Sequence, residues 1–113
     1  MFAFAPCDAD LRGVAAIATF REQEGLTMIV EESEASKAGL TPLFRAAWIT
    51  LTVHSDLNAV GLTAAFARAL GDANISCNVV AAAFHDHIFV PVDDAGRALA
   101  ALEALQKRAS ARE

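Results

Sequence analysis

The segment at residues 49–70, ITLTVHSDLNAVGLTAAFARAL, constrains the fold more than any other because its apolar residues change period partway along. Up to Val53 they alternate with polar residues, which is the period of a strand with one buried face. After Asn58 they recur at helical spacing as far as Leu70. Between the two lies a small polar loop, SDLNAVG, that ends in Gly61. The segment therefore predicts a strand, a loop and a helix in direct succession.

The rest of the second half continues this pattern. The apolar runs at 75–84 and 87–92 predict two strands, with residues 85 and 86 in the turn between them. Asp93 or Asp94 then caps a last helix. Its predicted apolar face consists of Ala98, Leu99, Leu102 and Leu105. The predicted order of the second half is strand, helix, strand, strand, helix.

The first half repeats this order more weakly. Its predicted elements are a strand at 2–6, a short helix at 10–17, strands at 19–22 and 26–31, a helix at 33–39 capped by Ser33 and ended by Gly39, and a strand at 44–54. The repeat predicts two tandem modules, at 1–45 and 46–113, with the strand at 44–54 shared between them.

This order predicts an α+β, ferredoxin-like fold, in which an antiparallel sheet has its helices on one face. A right-handed crossover makes the first two strands of a unit parallel and inserts the third strand antiparallel between them. The end of the strand at 49–54 and the turn at 85–87 then lie at the same edge. We therefore expect the loop at 55–61 to lie close to residues 85–87.

Composition narrows the class of protein. The chain has 113 residues and is 55% hydrophobic, but no apolar segment approaches the ~20 residues of a membrane span. Surplus apolar surface on so small a chain favours a homo-oligomer, most simply a dimer. The net charge of −5 argues against nucleic acid as a partner, because phosphate binding requires a surplus of basic residues.

The cellular compartment follows from the N-terminal stretch and the cysteines. MFAFAPCDAD lacks the cationic and long apolar regions of a signal peptide, so we expect none. Cys7 and Cys77 are too few for a disulfide framework and match no zinc-binding spacing. Both thiols suit a reducing cytoplasm.

Three stretches of the chain, TFREQEGLTMIV, ITLTVHSDLNAVGLTAA and NISCNVVAAAFHDHIFVPVDDA, resemble small bacterial proteins built from tandem ACT domains. The resemblance covers nearly the whole chain. It implies a βαββαβ fold and a regulatory module that binds an amino acid or another small metabolite. It also implies that the first module, which begins directly at a strand, is incomplete or does not bind.

The resemblance places the ligand at the loop after the first strand of the second module. Members of the family often carry Asp three residues before the loop glycine, where this chain has Asn58. Asn58 has no charge to offer an ammonium group, and Asp56 is a substitute. The implied ligand-binding residues are Asp56, Asn58, Ala59, Val60, Gly61 and Asn78.

Physical chemistry gives the same loop two interpretations. The first turn of a helix presents unpaired N–H groups that favour a carboxylate, and Gly61 permits close approach of a ligand. Alternatively, Ser55, Asp56 or Asn58 simply caps the helix, and the glycine permits packing of the helix on the sheet.

The histidines define a possible auxiliary site made of His54, His85, Asp86 and His87. Three histidines and a carboxylate suit zinc, but the spacing matches no known zinc pattern. Hydrogen bonds to a ligand or across a subunit interface are the favoured interpretation. We therefore expect no metal and no cofactor.

The strand at 49–54 places Thr50, Thr52 and His54 on one face, to which Asn78, Val80, His87 and Phe89 also contribute. Such a face is usually covered, by a sibling module or a second subunit. No recognisable nucleophile motif or phosphate loop is present, so we expect no enzyme. The competing hypotheses are a ligand-free interaction module and a small metal-dependent enzyme that uses His54, His85 and His87.

Overall fold

The computed structural model describes residues 1–7, 15–51 and 62–111. The chain divides into two compact units, Met1–Ala46 and Ala47–Glu113, and a single strand runs across the boundary between them. Across the described residues, no helix is long and apolar enough to cross a membrane. The assignment of modules to 1–45 and 46–113 stays a prediction.

The first unit is a four-stranded antiparallel layer with one short helix. Its elements are β1 (Phe2–Cys7), β2 (Ala16–Arg21), β3 (Leu26–Glu31), α1 (Glu32–Lys37) and the beginning of β4 (Phe44–Leu51). The strand order is β2-β3-β1-β4, and the register pairs Ala3 with Val30. Alternate residues of β1 and β3 therefore point to the same side, where Ala3, Met28 and Val30 pack with Ala35 of α1.

Two predictions for this unit need correction. The helix predicted at 10–17 is wrong at its end, because Ala16 and Ile17 belong to β2; residues 10–14 of it lie outside the described residues. Ser33 is not the cap of α1. The helix begins one residue earlier, after Glu31, which makes no side-chain capping bond.

The second unit consists of the remainder of β4, α2 (Leu62–Asp72), β5 (Asn78–Ala81), β6 (Asp86–Pro91), a 3-10 turn (Val92–Asp94) and α3 (Ala95–Ala111). The order strand, helix, strand, strand, helix is confirmed. Strand order β4-β6-β5 also places the third strand between the first two, as the crossover rule predicts. The core lies on one side of this sheet and consists of Ile49, Phe66, Leu70, Ile75, Ile88, Val90, Ala98 and Leu102.

The hairpin between β5 and β6 differs from the prediction. The strand predicted at 75–84 is only Asn78–Ala81. The turn comes earlier than predicted, closed by a 3.0 Å hydrogen bond from the Ala82 N–H to the His85 carbonyl. Asp86 is therefore not a turn residue; it is the first residue of β6 and pairs with Ala81. On α3, Leu99 is 47% exposed and does not belong to the buried face.

Candidate functional site

Only part of the predicted site falls within the described residues. Asn78, His85, Asp86 and His87 are described. The other predicted site residues, His54, Asp56, Asn58, Ala59, Val60 and Gly61, lie outside them. Their role as a ligand-binding loop stays a prediction, and the structure describes the strand that leads to them and the helix from Leu62 onward.

In the sheet of the second unit, the strand pairing determines at which end and on which face Asn78 and Asp86 lie. Because neighbouring strands are antiparallel, the last residue of β4, Leu51, and the first residue of β6, Asp86, lie at the same end of the sheet. Asn78 pairs with Phe89, three residues along β6 from Asp86, which is a distance of about 10 Å. The side chains of Asn78 and Asp86 also project from opposite faces.

We call the face opposite the core the aromatic face; it consists of Trp48, Asn78, Val80, His87 and Phe89. The Trp48 indole Nε1–H donates a 3.0 Å hydrogen bond to Nδ1 of His87. The same indole stacks on Phe89, with the ring centres 5.8 Å apart and the planes inclined by 23°. Because an indole can only donate, Nδ1 of His87 is the acceptor of this hydrogen bond.

The aromatic face is only partly covered. Phe89 is 2% exposed, whereas Trp48 is 36% and Val80 44% exposed. The predicted neighbours Asn78, Val80, His87 and Phe89 do share a face, as the register of β5 and β6 shows. Trp48 was missed as a member, although its position two residues before Thr50 in a strand of period two was the available signal.

Asp86 stands apart from the other titratable residues. Asp86 is 2% exposed, and no group in the described part of the chain donates a hydrogen bond to its Oδ2 atom. Nδ1 of the preceding His85 is also buried without a described partner, while its ring lies 6.3 Å from that of His87 on the aromatic face. A buried acceptor without a donor is costly. Such a group therefore indicates a partner that the described chain does not supply.

The metal hypothesis finds no support within the described ranges. No group of three or more histidine, cysteine, aspartate or glutamate residues in residues 1–7, 15–51 and 62–111 is arranged to hold a metal ion. The third histidine of that hypothesis, His54, lies outside them.

A shallow depression lies beside the end of α2 in the second unit. It has a volume of about 390 Å³ and is lined by Gly71, Asn74, Ile75, Ser76 and Asp94. Its charged wall is already paired, because Arg97 forms a 2.9 Å ion pair with Asp94 and donates to the carbonyl of Ala73. These contacts join the start of α3 to the end of α2, which indicates a structural role.

Strand order and helix placement define the class of protein to which this chain belongs, namely ferredoxin-like α+β modules. Comparison with known families then identifies the family. Two models described as ACT domain match the chain, one at residues 44–104 and one at residues 1–47. The chain belongs to the ACT-domain family, whose members are generally regulatory modules that bind ligands and typically oligomerise.

A solved structure with the same fold agrees with this assignment. It is a protein of unknown function from Vibrio cholerae, described as a possible transport protein, and it is 46% identical to this chain. The match has a TM-score of 0.83 and covers 92% of this chain and 82% of that one. No curated protein matches the chain.

Proposed function

We propose that this protein is a sensing or regulatory module that binds a small amino acid or a related metabolite through residues 55–62. The ACT-domain match over residues 44–104 carries the proposal, because it spans the strand before this segment, the helix after it and both strands of the hairpin. ACT domains act as regulators, so the proposal includes no catalytic step.

The proposed ligand is a zwitterion held at both ends. Its carboxylate accepts hydrogen bonds from the backbone N–H groups of Ala59, Val60 and Gly61, aided by the partial positive charge at the start of the helix. Asn58 or Asp56 orients its amine. Asn78 lies on the aromatic face, so it reaches the ligand from a second subunit packed on that face. The functional unit is therefore a homodimer.

Thermal unfolding in the presence of each common amino acid at millimolar concentration tests the proposal. A ligand at ten times its Kd adds about 1.4 kcal/mol to the free energy of unfolding. For a domain of this size we expect a rise in Tm of about 5 °C or more. Gly61→Val should abolish that rise, because its side chain occupies the space in which the ligand approaches the backbone.

Gly71→Ala is the matched control, since a methyl group at Gly71 contacts nothing within 4 Å. It should keep the full rise in Tm. A rise that survives Gly61→Val would contradict the loop as the binding site. A flat response to the whole panel would contradict an amino acid as the ligand.

The exposed part of the aromatic face supports a second candidate, an interaction module that binds no small molecule. Trp48 and Val80 are 36% and 44% exposed on a sheet face, where apolar side chains favour association. Native mass spectrometry separates the two candidates. A dimer whose mass equals two bare chains, together with a flat thermal panel, supports the interaction module. A mass excess that matches one metabolite per subunit supports the sensor.

A further inference from the structure

Asp86 is the buried charged side chain of the described residues, and the fold gives it no evident role. It projects to the core side of β6, two residues before Ile88, which is fully buried. The ion pairs of the described residues join Glu34 to Lys37, Glu32 to Arg45, and Asp94 to Arg97. None of them includes Asp86.

Burial makes this arrangement costly. An ionised carboxylate loses its hydration when it is buried, and only hydrogen bonds or an opposite charge restore that loss. Among the described groups, none donates a hydrogen bond to Oδ2 of Asp86 and none forms an ion pair with it. A side chain that lowers stability and is still present in the fold is typical of a binding residue.

The position of Asp86 fits the proposed ligand. It lies at the end of β6 next to the end of β4, from which the chain continues toward the proposed binding residues. A primary ammonium group carries three N–H donors, one positive charge and no acceptor. It therefore supplies both the hydrogen bond and the charge that Oδ2 lacks.

We infer that Asp86, the first residue of β6, binds the ammonium group of the ligand alongside Asp56 or Asn58. The inference rests on the proposed function and deepens it, because it requires a ligand with a free primary amine. N-acylated amino acids and simple carboxylic acids are then excluded. The carboxylate of the ligand stays with the backbone N–H groups of residues 59–61.

Fragment titration tests the inference without knowledge of the natural ligand. Methylammonium chloride is titrated into the 15N-labelled protein, and sodium acetate serves as the comparison. Methylammonium should shift the backbone amides of Asp86 and Ile88 in a saturable way, and acetate should not. Asp86→Asn should weaken methylammonium binding by about tenfold or more, the loss typical of a hydrogen bond to a charged group. Unshifted Asp86 signals, or an unchanged titration in Asp86→Asn, would overturn the inference.

Stability gives a second readout that separates binding from a structural role. If the carboxylate is held for a ligand, Asp86→Asn removes a buried carboxylate whose Oδ2 has no donor and raises the Tm of the free protein. If instead it accepts hydrogen bonds within the fold, the same variant lowers the Tm, which would overturn the inference. Glu103→Gln is the control, because Glu103 is exposed within α3 and its substitution should change neither Tm nor methylammonium binding.

The amino-acid panel repeated on Asp86→Asn distinguishes failure of the inference from failure of the proposed function. An amino acid that stabilises the native protein and Asp86→Asn equally leaves the sensor in place and removes Asp86 from its site. A flat panel combined with Asp86-dependent binding of methylammonium supports the ammonium site and overturns an amino acid as the ligand.

Discussion

Glu32 and Arg45 form a two-pronged ion pair in the first unit. The Arg45 Nε–H donates to Oε1 of Glu32 over 2.5 Å and its Nη2 group donates to Oε2 over 3.2 Å. These hydrogen bonds, reinforced by the charge of the guanidinium, hold the pKa of Glu32 below its ordinary value of 4.5. The pair joins the first residue of α1 to β4, so it fixes the helix at the end where Ser33 provides no cap.

We expect Glu32→Gln to lower the Tm at pH 7 and to have no effect in strong acid. Because the folded pKa is lowered, the stabilisation is fully present above pH 4.5 and is lost as the pH falls through the folded value. Unfolding curves at pH 7 and in steps below pH 4.5 check this. High salt should also shrink the difference, since the pair is half exposed. Glu103→Gln, on the exposed side of α3, is the control. An equal deficit at every pH would show that the charge of Glu32 is irrelevant.

The hydrogen bond between Trp48 and His87 joins two side chains of the aromatic face. A double-mutant cycle with Trp48→Phe and His87→Leu should give a coupling energy of about 0.5–1.5 kcal/mol, the net value of one hydrogen bond. Phenylalanine keeps a ring to stack on Phe89, so the coupling reports the hydrogen bond together with the ring contact between Trp48 and His87, whose centres are 5.5 Å apart. Urea unfolding of the four proteins measures it, and additive effects would mean that the bond contributes nothing to stability.

The helices α1 and α2 end in the same way. In α1 the Leu40 N–H donates to the Ala35 carbonyl and the Gly39 N–H to that of Ser36, which is the hydrogen-bond pattern of the Schellman motif. In α2 the corresponding donors are Ile75, bonded to Leu70, and Asn74, bonded to Gly71. The left-handed residue is Gly39, with φ of 70°, in the first case and Asn74, with φ of 59°, in the second. Each motif also places an apolar residue, Leu40 or Ile75, against the core.

The left-handed backbone of Gly39 at the end of α1 predicts that alanine has different effects on stability at Gly39 and at Gly96. A methyl group added to Gly39 or to Gly96 contacts nothing within 4 Å, so only the backbone distinguishes them. Gly39→Ala should lower the free energy of unfolding by about 1–2 kcal/mol, because φ of 70° crowds a Cβ atom. Gly96→Ala, in the first turn of α3, should be neutral or raise it by up to about 1 kcal/mol. Chemical denaturation measures both, and equal effects would contradict the backbone explanation.

Periodicity explains which elements could be predicted from the sequence. The change from period two to period 3.6 after Val53 gave the order of the second half, and Gly39 gave the end of α1. The run at 75–84 misled because Ile75 and Cys77 pack against the core without strand pairing, as part of the exit from the α2 motif. An apolar run records burial, and burial alone does not distinguish a strand from an irregular segment.

The candidate site shows the same limit on a larger scale. The ACT-domain resemblance gave the family, which the matches at 1–47 and 44–104 confirm. Asp86, in contrast, is a residue type that is common in turns. Only its pairing with Ala81 and the packing around β6 make it a buried carboxylate. That property belongs to the assembled sheet, so no pattern within the sequence reveals it. The face of Trp48 could be predicted from its strand period, but its hydrogen bond could not, since its partner His87 is 39 residues away in the chain.

Association is the prediction that belongs to the whole molecule. Val80 is a 44% exposed apolar side chain of the edge strand β5, on the aromatic face, and the proposed homodimer covers it. We expect the protein to have the mass of a dimer in light scattering coupled to size exclusion. Val80→Glu should shift it to a monomer, because a carboxylate buried at a subunit interface without a partner is strongly unfavourable. Phe84→Glu is the matched control, since Phe84 is 84% exposed in the hairpin turn, outside the paired part of the sheet. A dimer that persists in Val80→Glu would mean that the subunits meet through another surface, and the contribution of Asn78 from a second subunit would then be excluded.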